Sequence, residues 1–177
     1  HAQWIGAVFA GGVRSTLPVP HLRKVFSLPA AVQSARLYIT ALGVFECSIN
    51  GQMVSQDVFA PGWTDYHKRV QVLTYDVSDL VQQGDNAIGA LLGDGWAAGY
   101  IGWLHRQNYV DRPQLFAQLE VTLVDGRVQT IVSDDSWRFQ FGPTTHSDFL
   151  MGEAYDARLE IPGWDRPVFN ADTWLPV

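Results

Sequence analysis

The densest chemistry in this sequence lies in one stretch, Ala60-Pro61-Gly62-Trp63-Thr64-Asp65-Tyr66-His67-Lys68-Arg69-Val70. Between Trp63 and Arg69 it holds an aromatic face, a carboxylate, a phenol and three potential cations. Pro61 and Gly62 favour a turn over a helix at its start, so it reads as a loop feeding a β-rich run from Arg69 to Tyr75. Two chemistries suit it. A Trp face stacks on the apolar face of a pyranose, and an Asp is an oxygen ligand for a hard cation. The competing reading is a structural corner.

Two further loops carry related residues. Gly93 to Trp103 is glycine-rich and holds Trp96, Tyr100 and Trp103. Asn108 to Pro113 holds Asn108 and Asp111. Calcium accepts carboxylate, amide and backbone oxygens in irregular loops. Asp65, Asp94, Asn108, Asp111 and the Pro113 carbonyl would form such a set if the three loops share one rim. Otherwise Asp65 and Asp94 cap turns, and Asp111 pairs with Arg112 or a nearby base.

Signals for catalysis are weak. No G-x-S-x-G, H-E-x-x-H or P-loop occurs, and Gly93-Asp94-Gly95 lacks the third glycine of a dinucleotide fingerprint. A glycosidase needs two carboxylates across a cleft. Asp65, Asp94, Asp111, Glu153 and Asp156 all fall in expected loops, but a small sandwich rarely makes a deep pocket by itself. Asp156 and Arg158 share a strand face on the sequence pattern, which predicts an ion pair; a contact to a neighbouring domain is the other reading.

Composition narrows the class. The chain has 177 residues, 47% hydrophobic, 17% charged and 12% aromatic. That length suits one domain with a real core, and that hydrophobic share excludes disorder as the main state. Low charge with many aromatics suits sugar recognition, although Trp also fills sandwich cores. The net charge is −6 with no basic stripe, which argues against nucleic acid. The single Cys47 excludes a disulfide framework and a cysteine-based zinc site, and leaves the compartment open. No run of 18 apolar residues suggests a membrane span. His1 to Gly6 does not read as a signal peptide and looks like an entry point cut from a longer chain.

The elements that must position these loops are strands. Residues 1–21 read as an irregular lead-in, and 22–177 as a single β-sandwich domain. Leu22 to Leu28 is a first strand. Ala35, Leu37, Ile39 and Ala41 alternate inward, as do Phe45, Cys47 and Ile49, with Cys47 a buried hydrophobe. Asn50-Gly51 and Asp125-Gly126 are hairpin signals. Asp76 to Val81 reads as one short helical turn capped by Asp76 and stopped by Gly84. Asn86 to Leu92, Leu115 to Leu123, Val128 to Val132 and Trp137 to Phe141 complete about eight to ten strands without βαβ alternation, which predicts an all-β, antiparallel, jelly-roll-like sandwich.

Several phrases then line up in order: Ala35 to Gly43, Ile49-Asn50-Gly51, Pro61 to Tyr66, Tyr75 to Leu80, Gly93-Asp94-Gly95-Trp96 and Gly152 to Arg158. Together they resemble the N-terminal accessory β-sandwich of bacterial α-L-rhamnosidases, from about Leu22 to Val177. The resemblance implies a catalytic (α/α)-toroid elsewhere in such enzymes, inverting hydrolysis of terminal α-L-rhamnose there, and no hydrolysis by this domain alone. In some members the sandwich binds L-rhamnose through a calcium ion. The family's site uses an Asp, Asn side chains and backbone oxygens, one from a Pro. Asn108 and Pro113 match that pattern, and Asp65 is the candidate Asp, although Tyr66 stands where an Asn neighbour is wanted. The implied ligand set is Trp63, Asp65, Trp96, Trp103 and Asn108 for sugar, with Asp65, Asn108 and Pro113 for calcium. The partners implied are L-rhamnose or rhamnose-containing glycans and the catalytic domain of the parent enzyme. A secreted or periplasmic setting is favoured. The alternative is a structural domain that packs on the catalytic domain without a ligand of its own.

Overall fold

The computed structural model describes residues 1–103 and 105–177. Its strands are β1 (Pro20–Leu28), β2 (Val32–Leu42), β3 (Val44–Ile49), β4 (Gln52–Met53), β5 (Leu73–Asp76), β6 (Gly84–Gly93), β7 (Gln114–Leu123), β8 (Val128–Val132), β9 (Arg138–Phe141), β10 (Thr144–Asp148), β11 (Gly152–Tyr155) and β12 (Leu175–Pro176). A single helical turn, α1 (Gly95–Ala98), follows β6. A six-stranded sheet runs β12-β9-β1-β6-β3-β4, a four-stranded sheet runs β5-β2-β7-β8, and β10-β11 form a ribbon. All the strand pairs are antiparallel, which makes the fold the all-β sandwich expected.

Alternation explains the layers. Along β7, Leu115, Ala117, Leu119, Val121 and Leu123 are buried and their neighbours are not. Opposite them β2 contributes Ala35, Leu37, Ile39 and Ala41, in register Leu37 to Leu119. The six-stranded sheet supplies Leu22, Phe45, Cys47, Ile49, Ile88 and Leu92 to the same core. Burying each large apolar side chain is worth roughly 1.5–3 kcal/mol, so the two sheets are held chiefly by this shared layer. Burial pushes the Cys47 thiol up to about 12, which leaves it a core residue without a thiolate at neutral pH.

The Asn50-Gly51 signal holds. Both residues have positive φ, 55° and 81°, as a type I′ turn requires, and β3 returns as β4 with Ser48 opposite Met53. Asn50 also donates to Asn86 Oδ1 at 2.8 Å and to Leu80 O at 2.9 Å. Fully buried Asn86 in turn grips Gln82 through both its N–H and its carbonyl.

That side-chain grip displaces the helical turn expected at Asp76 to Val81. The segment makes one Leu80 N to Val77 O bond and no helix. Asp76 does cap it, accepting from Ser78 N at 3.1 Å, but Gly84 opens β6 instead of stopping a helix. The β-rich run from Arg69 likewise pairs only from Leu73, because the preceding residues follow the loop.

The outer face of β1 and β6 is covered as well. Arg23 is buried, donating to Trp164 O at 2.8 Å and Arg166 O at 3.0 Å, with its guanidinium 5.5 Å from the Phe169 ring centre. Trp164 sits so close to Gly89 that a β-carbon there would lie 2.5 Å from its ring. The lead-in is irregular yet packed: Ile5 and Ala7 are buried, and Ile5 exchanges backbone bonds with Leu115. Among the described residues no helix is long and apolar enough to cross a membrane.

Candidate functional site

The rim is built from segments of three connections, β4–β5, β6–β7 and β10–β11. The first is the turn Phe59–Gly62, closed by Gly62 N to Phe59 O at 3.0 Å and anchored by Phe45 N to Ala60 O at 2.9 Å. Ala60 and Pro61 are buried beneath it, so the turn is a fixed base. Gly62 takes φ 94°, which a side chain resists. Phe59 takes φ 58°, rare for a non-glycine and costing on the order of 1–3 kcal/mol, yet its ring is 65% exposed.

The next residues coil on themselves. Lys68 N and Arg69 N both donate to Asp65 O, at 2.9 and 3.0 Å. Asp65 Oδ1 accepts from His67 N at 3.2 Å, and Oδ2 lies 3.2 Å from Lys68 Nζ. The Lys68 ammonium holds the Asp65 carboxyl below its ordinary value. Asp65 is therefore ionised, exposed and paired within its own turn.

Trp63 leaves this loop and stacks on Trp96 of α1, ring centres 4.9 Å apart and planes 24° apart. Trp96 then meets Phe149 at 4.8 Å, and Phe149 meets Phe59 edge-on at 5.1 Å. Four rings from three connections thus form one row. The end members are open, with Trp63 50% exposed, while Trp96 and Phe149 are half-buried.

Asp148 places Phe149. Its buried carboxylate accepts from Tyr100 N at 2.8 Å, Leu150 N at 2.8 Å and Met151 N at 3.0 Å. One side chain thereby ties the β10–β11 turn to the segment after α1. A groove of about 600 Å³ runs beside the Phe59 end, lined by Glu46, Val58, Phe59, Phe149, Glu153 and Tyr155.

The Asn108 loop reaches the same rim through Tyr109, which packs on Tyr66 at 5.1 Å and on His67 at 5.0 Å. Burial and neighbouring Tyr109 push the Tyr66 phenol up to about 12, so it stays neutral and bonds Gly62 O at 3.1 Å. Asn108 is exposed, its Nδ2 donating to His105 O at 3.3 Å. Trp103 is 84% exposed. The Pro113 carbonyl packs against Gly6, where a β-carbon would approach it to 2.7 Å. Pro113 and Asp111 line a separate hollow of about 20 Å³ beside Asp94 and Arg106, room for roughly one water.

Asp94 is not free for a cation. It is buried and bonded to Arg106 Nη2. Burial outweighs that guanidinium and raises its carboxyl to about 6. Glu153 lies in β11, not in a loop, and Asp156 follows that strand as the cap of a 3-10 turn (Ala157–Leu159). Asp156 and Arg158 do pair, at 2.6 Å, but locally and at the surface, with the Arg158 side chain 88% exposed. Among the described residues no three His, Cys, Asp or Glu side chains converge on a metal-sized site. Phe59 and Phe149 have no signal in the sequence pattern. Phe59 opens a turn that the sequence marks only at Pro61 and Gly62, and Phe149 follows an Asp that joins its own turn to the distant Tyr100 amide.

The architecture and rim define a class: an antiparallel sandwich that presents a row of aromatics on the loops between its strands. Within that class the chain belongs to the α-L-rhamnosidase N-terminal domain family, whose model matches residues 30–177. It is 49% identical over 157 residues to an α-L-rhamnosidase of Streptomyces avermitilis, covering 88% of this chain and 15% of that protein. It superposes on the structure of the Streptomyces avermitilis α-L-rhamnosidase complexed with L-rhamnose with TM-score 0.88 and 46% identity, covering 92% of this chain and 16% of the other. It also superposes on native α-L-rhamnosidase from Aspergillus terreus with TM-score 0.94 and 44% identity, covering 99% and 20%. The chain thus spans under a quarter of the length of these relatives, and its kin are not confined to bacteria.

Proposed function

We propose that this domain is a non-catalytic carbohydrate-binding module of an α-L-rhamnosidase and binds terminal L-rhamnose. The observation that carries this reading is Trp63, half exposed and braced from behind by Trp96 at 4.9 Å. A braced indole keeps one face open at little entropic cost on binding. Rhamnose offers that face axial C–H bonds and a methyl group, while Asp65 and Asn108 supply polar partners for its hydroxyls. Hydrolysis is left to the catalytic domain of the parent enzyme. Here Asp65, Asp94 and Asp156 are each paired with a base and are not poised across a cleft.

Calcium belongs to this reading as the bridging ion. Asp65 and Asn108 have the right oxygen chemistry and lie on loops that touch. To join them in one shell, Asp65 must release Lys68, and the Pro113 carbonyl must be reached past Gly6. Titration of the domain with L-rhamnose in a calorimeter, with calcium and with EDTA, tests both parts. Heat in calcium and none in EDTA is expected. Equal heat in both would remove the ion and keep the sugar.

A structural role on the catalytic domain is the second reading. It is favoured by the exposed Val8, Phe9 and Val13 of the lead-in. An absence of heat in both conditions would select it.

A further inference from the structure

Asp148 is buried, yet its carboxylate is shared between two segments far apart in the chain. Oδ1 accepts from Leu150 N at 2.8 Å and Met151 N at 3.0 Å, both in its own turn. Oδ2 accepts from Tyr100 N at 2.8 Å, just beyond the end of α1. Gly99 lies so close to the same oxygen that a β-carbon there would stand 2.6 Å from it. A turn cap needs one oxygen only, as at Asp76, where Oδ1 alone accepts from Ser78 N at 3.1 Å. A carboxylate accepts on both branches, whereas an Asn side chain accepts on one and donates on the other. The second oxygen of Asp148 is thus what joins the β10–β11 turn to the end of α1. The next residue, Phe149, packs on Trp96 of α1 at 4.8 Å, and Trp96 stacks on Trp63 at 4.9 Å.

We propose that Asp148 is a positioning residue for the sugar-facing Trp63. Through Tyr100 N it fixes the end of α1, and through Phe149 it supports Trp96, which braces Trp63. This rests on the rhamnose-binding reading of Trp63. Asp148 touches no sugar. It acts on affinity by holding the indole in place before the ligand arrives, so that less freedom is lost on binding.

The test compares Asp148→Asn with the wild type. The variant keeps its size and one accepting oxygen, so its own turn is retained and the Tyr100 bond is lost. Two stacked indoles give an exciton couplet in far-ultraviolet circular dichroism, and Trp164 with Trp174, 6.3 Å and 20° apart, contributes one too. The Trp63 part is therefore read as the difference spectrum between each protein and its Trp63→Phe variant. That difference should be a couplet in the wild type and should vanish in Asp148→Asn, with folding checked by the thermal midpoint. In a calorimeter, L-rhamnose should bind Asp148→Asn about tenfold more weakly. A couplet of unchanged size in Asp148→Asn overturns the proposal, as does unchanged affinity. Gly99→Ala keeps the carboxylate and forces the segment off it, so it should cause the same two losses and decides the matter if Asp148→Asn does not fold. No heat from the wild type would overturn the rhamnose reading and leave the couplet to decide the positioning by itself.

Discussion

Arg106 and Asp94, twelve residues apart, form an ion pair with side chains 2% and 9% exposed. The same guanidinium donates from Nη1 to the carbonyls of Gly12 and Ser15, so it pins the lead-in to the base of α1. Removing one partner strands a buried charge, which typically costs about 3–5 kcal/mol. Asp94→Ala should therefore lower the urea midpoint sharply. The double change Asp94→Asn with Arg106→Met should cost less than Asp94→Ala, because no lone charge is left. A double mutant as unstable as the single one would show that Arg106 matters chiefly through its carbonyl bonds.

His21 predicts a pH dependence. It is buried, edge-on to Trp164 at 4.7 Å, and burial lowers its pKa from 6.5 to about 4. The unfolded chain then binds more protons than the folded one between those values. The His21 contribution is complete above pH 6.5 and is lost as pH falls towards 4, by about 3 kcal/mol in all. Asp94 acts with the opposite sign. Its raised pKa favours the folded state below about 4 and costs stability as pH rises towards 6. The clean measurement is the stability gap between wild type and His21→Phe at several pH values. The gap should move in favour of the phenylalanine protein as pH falls from 7 to 4. A constant gap would mean that His21 is solvated.

Gly89 is the contact point of the C-terminal cover. Ala there must push Trp164 aside, and overpacking of this kind costs about 1–3 kcal/mol. Gly89→Ala should lower the thermal midpoint and alter tryptophan fluorescence together. An unchanged spectrum would show that the cover yields freely.

At the rim, Trp63→Ala, Asp65→Ala and Asn108→Ala should each abolish or strongly weaken rhamnose binding. The Asp65 and Asn108 changes should leave the melting temperature near that of the wild type, since both residues are exposed. Normal binding by both would move the site elsewhere.

Asp156→Ala gives the opposite control. Its partner Arg158 is almost fully exposed, and such pairs contribute little. The denaturation midpoint should stay within error, although the sequence pattern suggested a strand-face ion pair that supports the fold. A clear loss would give the 3-10 cap at Ala157 to Leu159 a structural role.

Period and turn chemistry were enough to read the sandwich from the chain. Leu115 to Leu123 alternates whatever its partner, and Asn50-Gly51 accepts positive φ without tertiary help. The same local rules placed Trp63 and Asn108 in loops, while Trp96, also expected in a loop, lies in the helical turn α1. They failed at Asp76 to Val81, where the decisive bonds come from outside the segment, from Asn50 in the β3–β4 turn and Asn86 in the central strand β6. They offered Asp94 as a cation ligand or a turn cap, where the structure makes it half of a buried ion pair. Its partner Arg106 lies across a loop whose course no local preference sets.

Tertiary structure alone decided which aromatics stand together. Trp63 meets Trp96 across two connections, and Phe149 meets Phe59 where Asp148 accepts from Tyr100 N, 48 positions upstream, and from amides of its own turn. The sequence by itself determined the two sheets, since alternation is a local property of each strand. The row of rings arose from contacts between segments far apart in the chain, and such contacts leave no period to read.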